Sequence, residues 1–274
     1  QVGPDRPIYM VGYSNGAALA VDYTVSVVAG ADLPRPAGLV LLSAAIGISR
    51  LAVVARTRTG ISSLPGFGRA AWQQIVQEFD PYKYSSFSFN AAGQTQRLTS
   101  GLARRVERLA RSRPIEGFPP VLAFQSTVDS TVRAEAVVDA LLEHLAPGNH
   151  ELVLFDVNRL AGAQALLVRD PGPLTARLLA MPARTFALTV ITNASVETDQ
   201  IKELRAEPGS SSQTSRPLAL TWPRDVFSLT HVALPFPPDD PLYGFLSERN
   251  GRHVQLGRVQ MHGENGVLAI PDWV

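Results

Sequence analysis

The sequence predicts an α/β fold with a mostly parallel central sheet, and three observations carry that prediction. A short apolar run at residues 7–11 (PIYMV) stops at Gly12 and gives way to residues 15–29 (NGAALAVDYTVSVVA), which are apolar on nearly every side. That order is strand, tight turn, buried helix. Residues 38–45 (GLVLLSAA) form a second continuous apolar run, the pattern of a strand covered on both faces of a parallel sheet. The rhythm then returns late in the chain, with strand-like residues 120–126 (PVLAFQS), a helix at 133–145 and a strand at 150–157 (HELVLFDV).

The chain has 274 residues, enough for one sizeable core or a core with a cap. Hydrophobic residues make up 45% and charged residues 18%, a globular composition that excludes collagen, coiled coil and wholesale disorder. With 25 basic and 24 acidic residues the formal charge is +1, so no net field draws the chain to nucleic acid. The absence of cysteine excludes disulfides, thiolate catalysis and Cys-ligated metals, and leaves the compartment open between cytoplasm and periplasm. No apolar run reaches the roughly 18 residues of a spanning helix, because Asp22, Gly30 and Pro34 interrupt the longest candidates. The chain begins at Gln1, almost directly before a strand, and so reads as mature or incomplete, with any targeting signal outside it.

Between the two α/β stretches, residues 47–118 change to mixed segments: 69–79, the polar-aromatic stretch 80–90, and a basic helix at 97–111. This region is expected to be an inserted cap, dividing the core into residues 1–46 and 119–274. In the second part a helix is expected at 167–181, a strand at 185–192, a surface loop at 209–215 (GSSSQTS) and a short strand at 217–222. Residues 234–243 (LPFPPDDPLY) carry four prolines and must be a loop, and residues 254–259 and 267–270 read as a hairpin around HGENG.

Residues Gly12-Tyr13-Ser14-Asn15-Gly16 match G-x-S-x-G, in which a serine sits on a sharp strand-to-helix turn with strained backbone. Glycine at positions 12 and 16 is expected to let strand and helix approach closely enough for the turn to close. The helix behind the serine would aim its positive dipole end at a developing oxyanion, with the backbone N–H of Asn15 as one donor. An apolar strand before the motif and a small-residue helix after it are the context the motif requires.

With the elbow GYSNGAALA, the turn TVDSTV and the loop SLTHVALPFPPDDPLYG, the sequence resembles the α/β-hydrolase superfamily, in particular bacterial esterase or lysophospholipase-like members with a cap. The resemblance implies a three-layer α/β-hydrolase fold with a helical cap, N-terminally incomplete because only 13 residues precede Ser14. It also implies an unpaired edge beside the strand at residues 7–11, and a second oxyanion donor upstream of this chain. The triad order Ser, acid, His selects Ser14, Asp129 and His231. Asp129 follows the strand at 120–126; it also fits a plain cap for the helix starting near Arg133. Asp156, at a strand end, and Asp225, six residues before His231, are rival acids. Of the five histidines, His144, His150, His253 and His262 have structural explanations at a helix end, a strand start and a hairpin, whereas His231 lies on a late loop. Residues 158–230 separate it from the strand at 150–157, so the base is expected to return from an extra strand region.

The resemblance implies acyl transfer: His231 takes the Ser14 proton, Ser14 attacks an ester carbonyl, and Asp129 holds the imidazole. Tyr13, Trp72, Phe79, Tyr84 and Phe87 are expected to line an acyl or alcohol pocket, with core packing as the alternative. An apolar lid favours a small-molecule ester that is lipid-like or aryl, and is compatible with peripheral contact with a lipid substrate. A peptidase or acyltransferase on the same triad, or a non-catalytic binding module, are the other readings. No metal-ligand spacing, G-x-G-x-x-G or P-loop is present, so no metal and no cofactor are expected.

Overall fold

Two uncharged runs joined by a small-residue helix can bury that helix by lying side by side in parallel, with the helix as crossover. They do so in the computed structural model of the chain, which describes residues 6–46, 72–74, 87–129, 132–164, 170–222, 228–229, 263–264 and 267–268. Strand β1 (Tyr9–Tyr13) pairs in parallel with β2 (Gly38–Leu42) through helix α1 (Asn15–Val28). Chain order continues with β3 (Trp72–Gln74), β4 (Phe87–Ser88), α2 (Phe89–Leu109), β5 (Val121–Ser126), α3 (Ala134–Ala140) and a 3₁₀ turn, Leu142–His144. Then come β6 (Glu151–Phe155), α4 (Ala161–Gln164), α5 (Gly172–Leu179), β7 (Ala187–Asn193), β8 (Gln200–Ala206), β9 (Thr214–Thr221), β10 (Gly263–Glu264) and β11 (Val267–Leu268).

The chain divides into two units, residues 1–47 with 99–233 and 259–274, and residues 48–98 with 234–258. The first holds a seven-stranded sheet in the order β1-β2-β5-β6-β7-β8-β9. Strands β1 to β7 in that order are parallel, and β8 and β9 join antiparallel. Every residue of β2 but Val40, and of β7 but Ile191, is buried, which requires cover on both faces and makes the fold three-layered α/β. Ala17, Val21 and Val25 of α1, Leu102 and Val106 of α2, Val137 and Val138 of α3 and Leu178 of α5 share one core with Leu39, Leu41, Leu152, Leu154 and Leu188 of the strands. In the second unit β3 and β4 pair antiparallel, and Ser88 Oγ accepts the Ala91 N–H (3.1 Å) at the start of α2.

Three elements depart from expectation. Strand β8 (QIKELRA) was hidden by its charges, which are used across the sheet: Arg205 binds Glu151 at 2.6 Å, and Glu203 takes a forked pair from Arg216 at 2.9 and 3.0 Å. Its partner β9 consequently starts at Thr214, inside the expected loop. Helix α2 begins at Phe89 rather than near residue 97, because the Ser88 cap starts it. The described part of the C-terminal hairpin pairs Gly263–Glu264 with Val267–Leu268, while residues 254–259 lie outside the described residues. Among the described residues β1 pairs only with β2, and its outer edge carries exposed Tyr9 and Val11. No described helix is long and apolar enough to cross a membrane.

Two buried cation-forming side chains fasten the first unit. Arg184, fully buried, donates to the carbonyls of Leu178, Met181, Phe186, Glu207 and Ser210, tying the end of α5 to the β8–β9 connection. Acceptors surround it on every side, so the charge is solvated by backbone. His150 is buried before β6, and its Nδ1 accepts the Val121 N–H at 3.3 Å. Burial pushes its pKa below the ordinary value, against a smaller opposing effect of a hydrogen bond with the Ala146 backbone. A depressed histidine favours the fold above the unfolded value of about 6.5 and loses that contribution as pH falls toward the folded value. The melting temperature of the protein is therefore expected to fall as pH is lowered below about 6.5, with a shallower slope for His150→Gln, whose amide oxygen can still accept from Val121; equal slopes in thermal melts would show that His150 plays no part.

Candidate active site

All parallel strands of the sheet end at one edge, so residues just past β1, β2, β5 and β6 come together there. Ser14 is one of them. It follows β1 with φ 51° and ψ −113°, a left-handed backbone that a non-glycine residue adopts only when its surroundings hold it. Those surroundings are specific. The Ser14 N–H donates to Leu42 O at 2.8 Å, and its carbonyl accepts from Ala17 (3.2 Å), Ala18 (3.4 Å) and Ala45 (3.0 Å). The turn is thus bonded to helix α1 ahead of it and to the chain leaving β2 beside it.

Gly12 lets this happen. A Cβ there would lie 2.5 Å from Ala17 Cα and 2.6 Å from Ala17 N, an overlap no rearrangement of side chains relieves. Gly16 is different: a Cβ there meets nothing within 4 Å, so the steric reason expected at both glycines holds only at Gly12. Ser14 also occupies the N-cap position of α1 but makes no side-chain capping bond. A serine at that position ordinarily spends its oxygen on the second or third helical N–H. Here the half-buried hydroxyl has no hydrogen-bond partner among the described residues. The N–H groups of Asn15 and Gly16 precede the first helical bonds and open toward the same end of α1.

Asp129 lies past the end of β5 at the same edge and is buried. Its Oδ1 accepts the Val132 N–H at 2.9 Å, and its Oδ2 accepts from Gln125 Nε2 at 3.3 Å. It does not cap α3, whose N-cap is Arg133 and whose first residue is Ala134. Tyr13 stands close enough to feel it: the phenol is held above its ordinary pKa first by burial and second by the negative charge of Asp129. Thr127 Oγ1 and Ser228 Oγ are buried without a hydrogen-bond partner among the described residues. Ser126 Oγ donates to the carbonyl of Leu229, which brings the chain two residues before His231 to the end of β5.

Asp156, the rival acid past β6, is engaged on both oxygens. Arg159 Nε and Nη2 each donate to it at 2.9 Å, and Thr192 Oγ1 adds a third bond at 2.9 Å. Arg159 also reaches Asp170 at 2.6 Å, and burial notwithstanding, these two carboxylates hold the guanidinium above its ordinary pKa. Asn193 completes the staple by accepting the Arg159 N–H at 2.6 Å and donating to Asn158 at 3.0 Å. Asp225 lies outside the described residues.

His144 and His150 are at the opposite, amino edge, where His144 O accepts from Ile115 and His150 contacts the first residue of β5. Neither can serve Ser14. His231, His253 and His262 lie outside the described residues, as do Phe79 and Tyr84, while Trp72 and Phe87 are described only as paired strand residues of β3 and β4. Ser43, past β2, was not anticipated: it is fully buried and has φ 45°. Its one signal was the small-residue run SAA directly after an apolar strand. Gln125 was also missed, although a lone amide in the apolar run VLAFQS was visible.

No family model matches the chain, and no curated protein matches it. Among solved structures, the chain is similar to the crystal structure of Paleococcus ferrophilus monoacylglycerol lipase, at 16% identity and a TM-score of 0.38. The likeness covers 55% of this chain and spans 59% of that lipase's length.

The two elbow glycines make a clean contrast. Gly12→Ala is expected to destabilise the protein by about 3 kcal/mol or prevent folding, while Gly16→Ala stays within about 0.5 kcal/mol of the parent; equal denaturation midpoints for the two variants would contradict the role given to Gly12.

Proposed function

We propose that this protein is a serine hydrolase of carboxylic esters that works through an acyl-enzyme, with Ser14 as nucleophile, His231 as base and Asp129 as the acid that orients it. One observation carries the reading: Ser14 is held in a strained turn at the head of α1, with its hydroxyl not used as a cap. Strain at such a position persists only where surrounding structure holds it, and a serine so held keeps its oxygen for an incoming group. The Asp129 carboxylate on the same edge, and the anchoring of Leu229 to Ser126 two residues before His231, support the assignment of the other two roles.

In the proposed reaction His231 takes the Ser14 proton as Oγ bonds to the ester carbonyl carbon. The oxyanion that forms accepts from the Asn15 N–H at the positive end of α1, a type of contact worth about 3 kcal/mol in the transition state. The imidazolium, paired with Asp129, returns its proton to the departing alcohol, leaving Ser14 acylated. Water, deprotonated by the same imidazole, then releases the acid and restores the serine. Asp156 is a poor alternative acid, because Arg159 and Thr192 already consume its acceptor sites. The proposed substrate is a small-molecule ester with an apolar acyl or aryl group, for which the sequence offers the aromatic residues Trp72, Phe79, Tyr84 and Phe87, together with Tyr13 next to Ser14 in the chain.

A fluorophosphonate probe is expected to label the protein at Ser14, with labelling abolished in Ser14→Ala and reduced about 10⁴-fold in rate in His231→Ala. No labelling of the folded protein would overturn the reading in favour of a binding module. With p-nitrophenyl esters, kcat/KM is expected to rise from acetate to medium-chain acyl groups by about tenfold or more; fastest hydrolysis of acetate would exclude a lipid-like substrate.

A further inference from the structure

Gln125 follows the apolar run Val121–Phe124 in β5, and its amide is 1% exposed. A primary amide at such a place destabilises the fold by about 1–3 kcal/mol unless its N–H groups are used. Gln125 uses them on a single turn. Its Nε2 lies 3.3 Å from Asp129 Oδ2 and 3.5 Å from the carbonyl of Val132, while the Val132 N–H closes on Asp129 Oδ1 at 2.9 Å. Strand, carboxylate and turn therefore form a closed triangle in which the amide, rooted in the sheet, braces both ends of residues 129–132.

We infer that Gln125 is a positioning residue that fixes the plane of the carboxylate of Asp129, the acid of the ester-hydrolase reading above, on which this inference rests. Asp129 Oδ1 is bonded within its own turn and would move with it. Oδ2 is bonded to the sheet, which is the rigid part of the site. Removing the amide takes away the bond that ties Oδ2 to the sheet, and a displacement of about 1 Å at an orienting group is enough to lower a rate about 100-fold. The imidazolium then loses part of its counter-charge, so the apparent pKa of the base falls. Tyr13 also responds to Asp129, and burial and that charge both keep its phenol neutral.

The test uses the full chain with Gln125→Met, which keeps the volume and removes both N–H groups, and Gln125→Glu, which keeps the shape and replaces the donor with an acceptor. Both are expected to lower kcat by about 10- to 100-fold, with KM within about threefold of the parent. In Gln125→Met the acid limb of kcat/KM is expected to move down by about half a pH unit or more. Parent-like kcat in either variant, or a loss that tracks unfolding by circular dichroism with the acid limb unmoved, overturns the inference. If Gln125→Met does not fold, Gln125→Glu decides on kcat. Failure of the ester-hydrolase reading is distinguishable, because there the parent protein itself is unlabelled at Ser14, whereas a labelled parent with unaffected variants removes only the role of Gln125.

Discussion

The approach of β1 to α1 at Gly12 is the contact on which the rest of the site depends. Backbone passes so close to backbone that a Cβ at Gly12 would lie 2.5 Å from Ala17 Cα. This closeness leaves no room for a relaxed connection, and Ser14 takes up the turn at positive φ. The strain is held because the Ser14 carbonyl is bonded on two sides, by Ala17 and Ala18 of the helix and by Ala45 past β2. A single missing methyl thus couples a strand, a helix and a neighbouring loop, and leaves the hydroxyl without a capping duty.

The two edges of the sheet treat polar groups differently, and physical accounting of their partners separates structure from candidate chemistry. At the amino edge the His150 imidazole is an acceptor for backbone, and farther along Arg184 is enclosed by carbonyls. At the carboxyl edge Asp156 is saturated by Arg159 and Thr192. These groups hold the fold and have little left to offer a ligand. Ser14, whose hydroxyl does not cap α1, is the exception that the proposed function builds on, with Asp129 at the same edge of the sheet.

Much of the first unit was legible in the sequence, for identifiable reasons. Strands β2, β5, β6 and β7 are buried on both faces or nearly so, and burial on both faces writes itself as an uninterrupted apolar run. Strand β8 was not legible, because it lies near the sheet's antiparallel end, where half-exposed Glu203 and Arg205 find partners on other strands and Lys202 on the loop past β7. Charges read as loop or helix until the strands that pair with them are known. The start of α2 was likewise invisible to a reading of its basic residues, since one serine side chain sets it.

By itself the sequence determined the order of strand, turn and helix around Ser14 and the parallel α/β class, because both depend on local glycine sterics and on runs of burial. It also carried the candidacy of Asp129, through its place after an apolar strand. Only the tertiary structure shows which donors reach two acids that look alike in sequence. Asp129 and Asp156 both follow buried strands, yet Arg159, three residues on, folds back on Asp156 with both arms of its guanidinium, while Asp129 is held by a neutral amide and a backbone N–H. That difference lies in which donors the fold brings to each carboxylate, and donor geometry is a property of packing that no residue spacing encodes.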